Sequence, residues 1–382
     1  MSKLFEPTII NGMILANRFV RSATYEGMAN EDGSCPQKLI DYMVQLAKGG
    51  VGLIITGNTY VSPEGQAVPR QMGAYSDELL PSLREMTKAV HNEDGKIAIQ
   101  ICHAGCQVSP HLIGRTPMGP SIYEIGNQKI YHEMTIEDIS EVIKSFTRAA
   151  DLAKRAEFDA VQIHAAHGFL LSEFLSPFFN KRRDEYGGDI ENRARLTLEI
   201  LQSIRKTVGK RYPILIKINS EDFLDGGLTV EDMLSLSSML EHAGIDAIEI
   251  CGGISVPIGK FIPSRQGRIK PENEGYYRDA AMRFKENIKV PLMLVGGIRS
   301  YDISEKLIEE GIANYISLCR PLVCEPDLIN RWKSGDTCPA SCLSDNLCLK
   351  SLLERQELRC ELGEIRPESA DKQIISNLTE FS

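Results

Sequence analysis

Two histidines spaced three residues apart are the strongest candidates for chemistry in this chain. They lie in the run QIHAAH, residues 162–167, where a short apolar segment ends. Residues three apart in an extended strand face opposite sides, so both imidazoles reach one site only if the chain bends after His164. Together His164 and His167 could then polarise a carbonyl or nitro group and bind anionic aromatic compounds. The alternatives are one buried histidine satisfied by the backbone and one exposed histidine, or half of a metal site.

A second set of residues indicates a phosphate site. Gly296-Gly297 ends one Val-rich segment, and Cys319-Arg320-Pro321 ends the next. If these segments are the last two strands of an α/β barrel, they fall where such barrels bind phosphate. Glycine lets the backbone approach the ligand, and arginine supplies a forked charge. The alternative is a glycine pair that ends a strand, with Arg320 on the surface.

Eight short segments rich in Val and Ile must position these residues. Each is followed by a segment with helical periodicity, and this alternation predicts a parallel sheet of βα units. The candidate strands are residues 18–25, 51–59, 96–103, 160–164, 213–219, 247–252, 290–297 and 315–320. We predict an α/β fold, a closed (β/α)8 TIM barrel. A doubly wound sheet would have fewer strands or a Gly-x-Gly-x-x-Gly turn, which is absent.

Two further elements can be predicted around the barrel. Residues 8–15 are typical of a hairpin with Asn11-Gly12 at its turn, placed to close the bottom of the barrel. Residues 135–155 begin with a Thr-Ile-Glu-Asp helix start and carry an apolar stripe. A boundary near Ser334-Gly335 divides the chain into a barrel domain, residues 1–334, and a short cysteine-containing C-terminal extension, residues 335–382.

The composition is that of an ordinary globular protein. The 382 residues are 42% hydrophobic and 25% charged, so the chain can bury a large core. The net charge of -9 is spread along the chain, which argues against nucleic acid or an anionic membrane surface as a partner. We find no secretory signal and no apolar run long enough to span a membrane, and we expect a cytoplasmic protein. The ten cysteines are interpreted as buried thiols or ligands.

The ordered set of motifs resembles the old yellow enzyme family of NADH:flavin oxidoreductases, from Leu4 to about Pro321. The resemblance is strongest to the barrel domain of the branch that contains dienoyl-CoA reductase and trimethylamine dehydrogenase. The motifs are Asn17-Arg18, Gly52-Leu53-Ile54-Ile55, Gln100 with His103-Ala104-Gly105, Gly119-Pro120-Ser121, the histidine run, Ser172-Glu173-Phe174-Leu175-Ser176-Pro177, the run from Asp184 to Arg193, Gly296-Gly297 and Arg320-Pro321. Each motif is weak alone, but their order is specific.

The resemblance implies an FMN-dependent oxidoreductase. FMN would be reduced by NAD(P)H and oxidised by an activated alkene in a ping-pong transfer of hydride through flavin N5. The resemblance also assigns residues: Ser22, Ala23, Thr24 and Tyr25 border the isoalloxazine ring, Asn58 and Gln100 contact its pyrimidine edge, Gly296, Gly297, Cys319 and Arg320 form the phosphate site, and His164 and His167 hold the substrate.

Lys217, in the apolar run PILIKIN, falls where the family places a cation near flavin N1 and O2. Reduced flavin carries negative charge there, so a fixed cation favours acceptance of hydride. The alternative is a lysine tolerated in the core, where an unpaired charge is costly.

Phe169 departs from the family pattern. The family often has a tyrosine there, which protonates the alkene carbon, and phenylalanine cannot donate a proton. Either another acid or water delivers the proton, or the reaction is not a standard alkene reduction. Tyr25 is either a relocated donor or a ring neighbour of the flavin.

The tail departs from the pattern too. Relatives in that branch bind an iron–sulfur cluster through four spaced cysteines. Here Cys342, Asp345, Cys348 and Cys360 reproduce the spacing with one aspartate, and Cys338 lies upstream. An iron–sulfur cluster, a zinc site and a relic of a lost site all stay open.

Three hypotheses follow for function. The first is an NAD(P)H-dependent FMN enzyme that reduces an electron-poor C=C bond. The second is an FMN dehydrogenase or demethylase that passes electrons through the tail site, and the third is a flavin-binding barrel that has lost turnover. The partners would be a small-molecule substrate and, because such barrels commonly associate, further copies of the chain.

Overall fold

The computed structural model describes residues 2–125, 128–254, 263–267, 269–353 and 357–361. In chain order, the strands of these residues are β1 (Thr8–Ile10), β2 (Met13–Leu15), β3 (Phe19–Arg21), β4 (Leu53–Tyr60), β5 (Ile97–Cys102), β6 (Met118–Gly119), β7 (Tyr123–Ile125), β8 (Gln128–Glu133), β9 (Ala160–Ala165), β10 (Ile214–Asn219), β11 (Ala247–Cys251), β12 (Leu292–Leu294) and β13 (Tyr315–Leu318).

The α-helices of the same residues alternate with the strands along most of the chain. They are α1 (Gln37–Lys48), α2 (Leu80–His91), α3 (Pro110–Ile113), α4 (Ile136–Arg155), α5 (Leu170–Leu175), α6 (Ile190–Arg193), α7 (Arg195–Val208), α8 (Val230–His242), α9 (Arg278–Asn287), α10 (Tyr301–Glu309), α11 (Arg320–Cys324), α12 (Leu328–Lys333) and α13 (Leu347–Leu353).

Eight of these strands form a closed parallel barrel, which confirms the predicted (β/α)8 TIM barrel. The order around the barrel is β3-β4-β5-β9-β10-β11-β12-β13, and β13 closes it by pairing Ile316 with Phe19 of β3. The strands are almost wholly buried because the barrel interior covers one face and the helices cover the other. The small strands β6, β7 and β8 form a separate sheet in the connection between β5 and β9.

The predicted hairpin is confirmed as the bottom of the barrel. β1 and β2 pair antiparallel around Asn11 and Gly12, whose φ angles of 42° and 84° are those of a type I′ turn. The side chains of Ile10, Met13 and Leu15 are buried and pack with the inward-facing residues of the barrel. Since the hairpin covers this end, only the opposite end of the barrel can admit a ligand.

The helix predicted over residues 135–155 is confirmed as α4. The side chain of Thr135 accepts a hydrogen bond from the backbone N–H of Asp138, and the Asp138 carboxylate accepts one from the N–H of Thr135. This capping box starts the helix, and its buried face then packs on the barrel.

Two barrel strands end well before the positions that the sequence predicts. β3 ends at Arg21 rather than Tyr25, and β12 ends at Leu294, before the glycine pair. The N–H of Ser22 still donates to Leu318 O at 2.9 Å, but the residues that follow both strands line the barrel mouth. The side chains at these positions are thereby available to a ligand.

The described part of the tail packs against the barrel. The backbone N–H of Ala340 donates to Arg299 O at 2.9 Å, and the N–H of Leu358 donates to Glu26 O at 2.9 Å. The division into residues 1–334 and 335–382 stays a prediction. Within the described ranges, no helix combines the length and apolar character needed to cross a membrane.

Candidate functional site

A cavity of about 310 Å³ opens at the mouth of the barrel, at the carboxyl ends of the strands. This size is within the range of small-molecule sites. The cavity is lined by every residue that the sequence analysis assigns to substrate or flavin: Ser22, Ala23, Thr24, Tyr25, Asn58, Gln100, His164, His167, Lys217, Gly296, Gly297, Cys319 and Arg320. The structure therefore brings together residues from seven different strand ends.

The two histidines converge as predicted because the chain turns between them. His164 is on β9, and His167 has a φ of 61°, which ends the extended backbone. Their ring centroids are 5.7 Å apart, and the ring of Phe169 lies 4.7 Å from that of His164. Both imidazoles line the same cavity, beside an apolar wall.

Hydrogen bonding fixes the proton position on His167. Its Nδ1 lies 3.1 Å from the carbonyl oxygen of Gly253, which can only accept. Nδ1 therefore carries a proton, and a neutral His167 has a lone pair at Nε2. Nδ1 of His164 is buried and has no partner among the described residues. The pair therefore offers a mixed set of donors and acceptors rather than two fixed donors.

Both histidines are held neutral. Burial lowers the pKa of His167 to about 4, and the charge of Lys217 adds to the effect. Burial also lowers the pKa of His164 well below its ordinary value, with contributions from His167 and Lys217. At neutral pH, neither imidazole holds a permanent charge in the absence of a ligand.

Lys217 is the cation of the cavity floor. Its Nζ donates to Ser22 Oγ at 2.8 Å and lies 3.5 Å from a carboxylate oxygen of Glu249 on the neighbouring strand. Burial by itself lowers the pKa of this ammonium group, but Glu249 opposes burial, and the net direction is upward. Lys217 therefore stays charged, as the sequence analysis expects of a residue that faces a developing anion.

A row of side-chain amides runs across the barrel beside this ion pair. Gln100 Nε2 donates to Gln162 Oε1 at 2.7 Å, and Gln162 Nε2 donates to Glu249 Oε2 at 3.0 Å. Asn58 faces Gln100 across the β4–β5 pairing, and its Oδ1 is buried with no partner in the part of the chain that the structure describes. Burying the Asn58 oxygen without a partner costs free energy, unless a ligand donates a hydrogen bond to it.

The glycine pair tolerates no side chain. Gly297 has a φ of 70°, and a Cβ there would lie 2.5 Å from a Tyr276 ring carbon and from Ile269 Cδ1. Gly296 has a φ of 139°, which L residues rarely adopt. Both glycines line the cavity, where their backbone could approach a phosphate.

Arg320 and Arg299 lie at the same end of the cavity and are fixed by the tail. Arg320 Nη1 donates to Asn346 Oδ1 at 2.7 Å and to the carbonyl oxygen of Arg265 at 2.9 Å. Arg299 Nη1 donates to the carbonyl oxygen of Cys342 at 2.9 Å. Two guanidinium groups at this end suit a dianionic phosphate.

The hydroxyl of Tyr25 is engaged by a backbone carbonyl group. It donates to the carbonyl oxygen of Pro69, and burial raises the pKa of Tyr25 to about 12. A phenol committed to a backbone carbonyl is a poor proton donor, so this geometry favours the interpretation of Tyr25 as a neighbour of the bound ring. Phe169 supplies no proton either, and its ring joins the apolar wall formed by Ala67, Ala104 and Val108.

The structure does not assemble the four predicted metal ligands of the tail. Asp345 caps a turn by accepting from the N–H of Leu347 at 3.0 Å. Cys360 contributes to raising the pKa of Cys324, a thiol outside the predicted set, through a side-chain hydrogen bond. Across all of the described ranges, no three His, Cys, Asp or Glu side chains are grouped so that they could hold a metal ion. The residues therefore do not fit an iron–sulfur cluster or a zinc ion.

Several residues of the cavity were missed by the sequence analysis. Cys251, Tyr276, Tyr277, Arg299, Ser317, Ser344 and Leu358 line it, and Gln162 and Glu249 lie next to it. Cys348, predicted as a metal ligand, also lines the cavity. Cys251 and Ser317 could have been found, because each comes at or near the end of a predicted strand. The tail residues could not, because the return of the tail to the barrel mouth leaves no periodic signal.

The chain is similar to known proteins over most of its length. The family model described as the NADH:flavin oxidoreductase / NADH oxidase family matches residues 3–337. An NADH oxidase of Thermoanaerobacter brockii is 36% identical over 371 residues, which cover 95% of this chain and 56% of that protein. The chain thus spans little more than half of that relative.

Two further proteins are similar to this chain, one by sequence and one by structure. A 4,4'-dithiodibutanoate disulfide reductase of Rhodococcus erythropolis is 30% identical over 377 residues, which cover 91% of this chain and 93% of that protein. Among solved structures, a 2-naphthoyl-CoA reductase complex superposes with a TM-score of 0.86 at 29% identity. It covers 94% of this chain and 56% of the other.

Proposed function

Because the chain belongs to the NADH:flavin oxidoreductase / NADH oxidase family, as its resemblance to old yellow enzymes predicts, we propose that it is an FMN-dependent NAD(P)H oxidoreductase. Its acceptor would be a small molecule with an electron-poor double bond. The observation that carries the proposal is the cavity itself, where thirteen residues assigned from sequence converge. Buried polar atoms without partners at this mouth suit a ligand with a polar edge.

The residues of the cavity fit FMN in three parts. Asn58, Gln100 and Lys217 would face the pyrimidine edge, Ser22 to Tyr25 the ring, and Gly296, Gly297, Cys319 and Arg320, with Arg299, the phosphate. FMN, when bound, would supply two-electron transfer between NAD(P)H and the acceptor. Lys217 would hold positive charge where negative charge accumulates on reduction.

His164 and His167 would bind and orient the acceptor. The apolar wall around Phe169 excludes water from one side of the site, and this strengthens any hydrogen bond made by the imidazoles. An acceptor carbonyl or nitro oxygen would accept from an imidazole N–H and be polarised by it. The histidines thus set the position of the acceptor. Its proton must come from water or from a group other than Tyr25 and Phe169.

Reconstitution with FMN tests the proposal. The purified protein should be yellow, should release FMN on denaturation, and should be bleached by NADH or NADPH without oxygen. Addition of an electron-poor alkene should restore the colour, and His164→Ala should slow this step while leaving reduction by NAD(P)H intact. Colourless protein that does not bind added FMN would refute the proposal.

Reduction of a disulfide is a second candidate, favoured by one specific observation. At the position of the expected proton donor the chain has Phe169, and the Tyr25 hydroxyl is engaged by Pro69. Cleavage of an S–S bond by two electrons gives two thiolates and needs no proton on carbon. One of the relatives that match over most of their length is named as a disulfide reductase, which also supports this candidate.

Reoxidation of the reduced enzyme by each class of acceptor separates the two candidates. Reduced enzyme is mixed anaerobically with an electron-poor alkene or with an organic disulfide that carries carboxylates, and reoxidation is followed by absorbance. Rapid reoxidation by the alkene alone supports the first candidate, and rapid reoxidation by the disulfide alone supports the second. A Phe169→Tyr variant should accelerate the alkene reaction and leave the disulfide reaction unchanged.

The other hypotheses have less support. We do not propose electron transfer through a tail cluster. Among the described residues, the four predicted ligands are not arranged as a metal site: Cys342, Asp345, Cys348 and Cys360. A barrel without turnover is disfavoured by the charged Lys217 and by the converging histidines, which a binding protein would not need. Labile sulfide and iron in anaerobically prepared protein would reinstate the cluster.

A further inference from the structure

Glu249 is a fully buried carboxylate that is not among the residues proposed to contact FMN or the acceptor. It lies on β11, is 0% exposed, and is paired in register with Lys217 on β10. One carboxylate oxygen, Oε2, lies 3.5 Å from Lys217 Nζ and accepts from Gln162 at 3.0 Å. The other oxygen, Oε1, has no hydrogen-bond partner within the described residues. A carboxylate kept at this depth must affect whatever lies above it.

The direction of the amide row follows from this carboxylate. A carboxylate can only accept, so Gln162 must turn its NH₂ group toward Glu249 and its carbonyl oxygen toward Gln100. Gln100 must then use its NH₂ group to reach Gln162. Its own carbonyl oxygen, Oε1, is left for the cavity. The orientation of Gln100 is thus set by a residue two side chains away.

We propose that Glu249 is a positioning residue that presents Gln100 Oε1 to the cavity as a hydrogen-bond acceptor and partly neutralises Lys217. The proposal rests on the function proposed above. The complementary ligand edge is an imide, an N–H group between two carbonyl groups, as on the pyrimidine part of a flavin. Gln100 would accept from the N–H, while Lys217 would face a carbonyl or an anionic nitrogen.

The two roles predict two measurable effects of Glu249→Gln. A glutamine there can donate, so the row is free to reverse and to turn the Gln100 NH₂ group toward the ligand N–H. FMN should then bind about tenfold more weakly, since one good acceptor is lost. With FMN bound, the negative charge of the reduced ring would replace Glu249 as the partner that keeps Lys217 charged, so the variant would stabilise the reduced cofactor more than the oxidised one. If the affinity for reduced FMN rises tenfold relative to the affinity for oxidised FMN, the two-electron potential rises by about 30 mV.

A second variant separates the roles. Gln162→Met cuts the row but keeps the Lys217–Glu249 ion pair, so FMN affinity should fall while the potential changes little. The matched control is Glu173→Gln, which alters an equally buried carboxyl group outside the row. Glu173 accepts from the N–H of Cys106 and lies outside the cavity lining, so both FMN affinity and potential should stay as in the unmodified protein.

The experiment measures FMN dissociation constants by fluorescence quenching and potentials by equilibration with a reference dye, with circular dichroism to verify folding. Weaker binding and a more positive potential in Glu249→Gln, with Glu173→Gln unchanged, support the proposal. Unmodified protein that binds FMN, together with a folded Glu249→Gln variant identical to it, overturns this inference alone. If Glu249→Gln does not fold, unchanged FMN affinity in Gln162→Met overturns it. Failure of the unmodified protein to bind FMN overturns the proposed function as well.

Discussion

At the scale of single residues, the site is defined by where protons and charges are held. Lys217 keeps its charge because Glu249 is beside it, whereas His164 and His167 lose theirs because they are buried near that same lysine. The proton on Nδ1 of His167 is fixed by Gly253. These assignments determine how ligand binding depends on pH.

Above the pKa of an acidic phenol, its binding to this site should be accompanied by uptake of one proton. A neutral phenol can donate to Nε2 of His167, whereas a phenolate requires His167 to be protonated, and both complexes contain the same number of protons. Affinity should be constant below the pKa of the phenol and should fall tenfold per pH unit above it. Titration of the FMN absorbance with the phenol over a pH series measures this. Constant affinity across the pKa of the phenol would show that the neutral pair can donate twice.

Glu173 should make stability depend on pH. Burial raises its pKa to about 8, so the folded state favours the neutral acid while the unfolded chain ionises from about pH 4.5. The stability it contributes is present below pH 4.5 and is lost as the pH rises through 8, a loss on the order of 4 kcal/mol. Urea unfolding of the unmodified protein at pH 5 and pH 8, compared with Glu173→Gln, measures it. An equal pH dependence in both proteins would contradict the assignment.

At the scale of elements, the barrel was predictable and the tail was not. Strands buried on both faces produce Val- and Ile-rich runs that recur with the βα repeat, so β9 and β10 were found within one residue. The ends of β3 and β12 were placed too late, because residues that face a ligand can be as apolar as residues that pair. The tail spacing matched a metal motif, yet the Asp345 carboxylate and the Cys342 thiol each accept from a backbone N–H group two residues later.

Gln162 and Glu249 show a different limit of sequence analysis. Both are polar residues inside apolar strands, the feature that identified Lys217, but Gln162 was considered only as the first residue of the histidine run and Glu249 lies in no motif. Their partners are on neighbouring strands, separated by 62 residues for Gln100 and Gln162 and by 87 for Gln162 and Glu249. A row of this kind depends on strand register, which only the folded barrel specifies.

The tail should contribute to cofactor affinity through Asn346. Its Oδ1 accepts from Arg320, and its Nδ2 donates to the carbonyl oxygen of Ser264 at 3.1 Å. Asn346→Ala should loosen the Arg320 guanidinium, which would keep its hydrogen bond to Arg265 O, and weaken FMN binding about 3- to 10-fold, or about 0.6 to 1.4 kcal/mol. The control is Asn330→Ala, which removes a contact to Lys48 O away from the cavity. Equal FMN affinities for the two variants would argue against a role of the tail.

At the scale of the whole molecule, the barrel separates a structural end from a ligand-binding end. The hairpin fills the bottom with apolar side chains, and the polar groups collect at the mouth. Stability and ligand binding should therefore respond to different substitutions.

Ile10→Ala should destabilise the protein without affecting the site. Ile10 is 1% exposed and packs inside the bottom of the barrel, so its truncation leaves a cavity that costs about 2 to 4 kcal/mol. Chemical denaturation should show this loss, while the FMN dissociation constant should stay unchanged. Ile9→Ala, at a position that is 61% exposed on the same strand, is the control and should alter neither quantity. A weakened affinity in Ile10→Ala would show that the two ends are coupled.

The closure of the barrel has a consequence for biosynthesis. The hydroxyl of Thr24 lies 3.0 Å from the thiol of Cys319, 295 residues later in the chain, and Ser22 accepts from Lys217. On the ribosome, the residues that border the ring are therefore made long before the phosphate end of the cavity. A nascent chain cannot capture its cofactor strand by strand. Loading must follow synthesis of the last barrel strand, so a cell short of FMN would accumulate folded, unloaded barrels rather than stalled fragments.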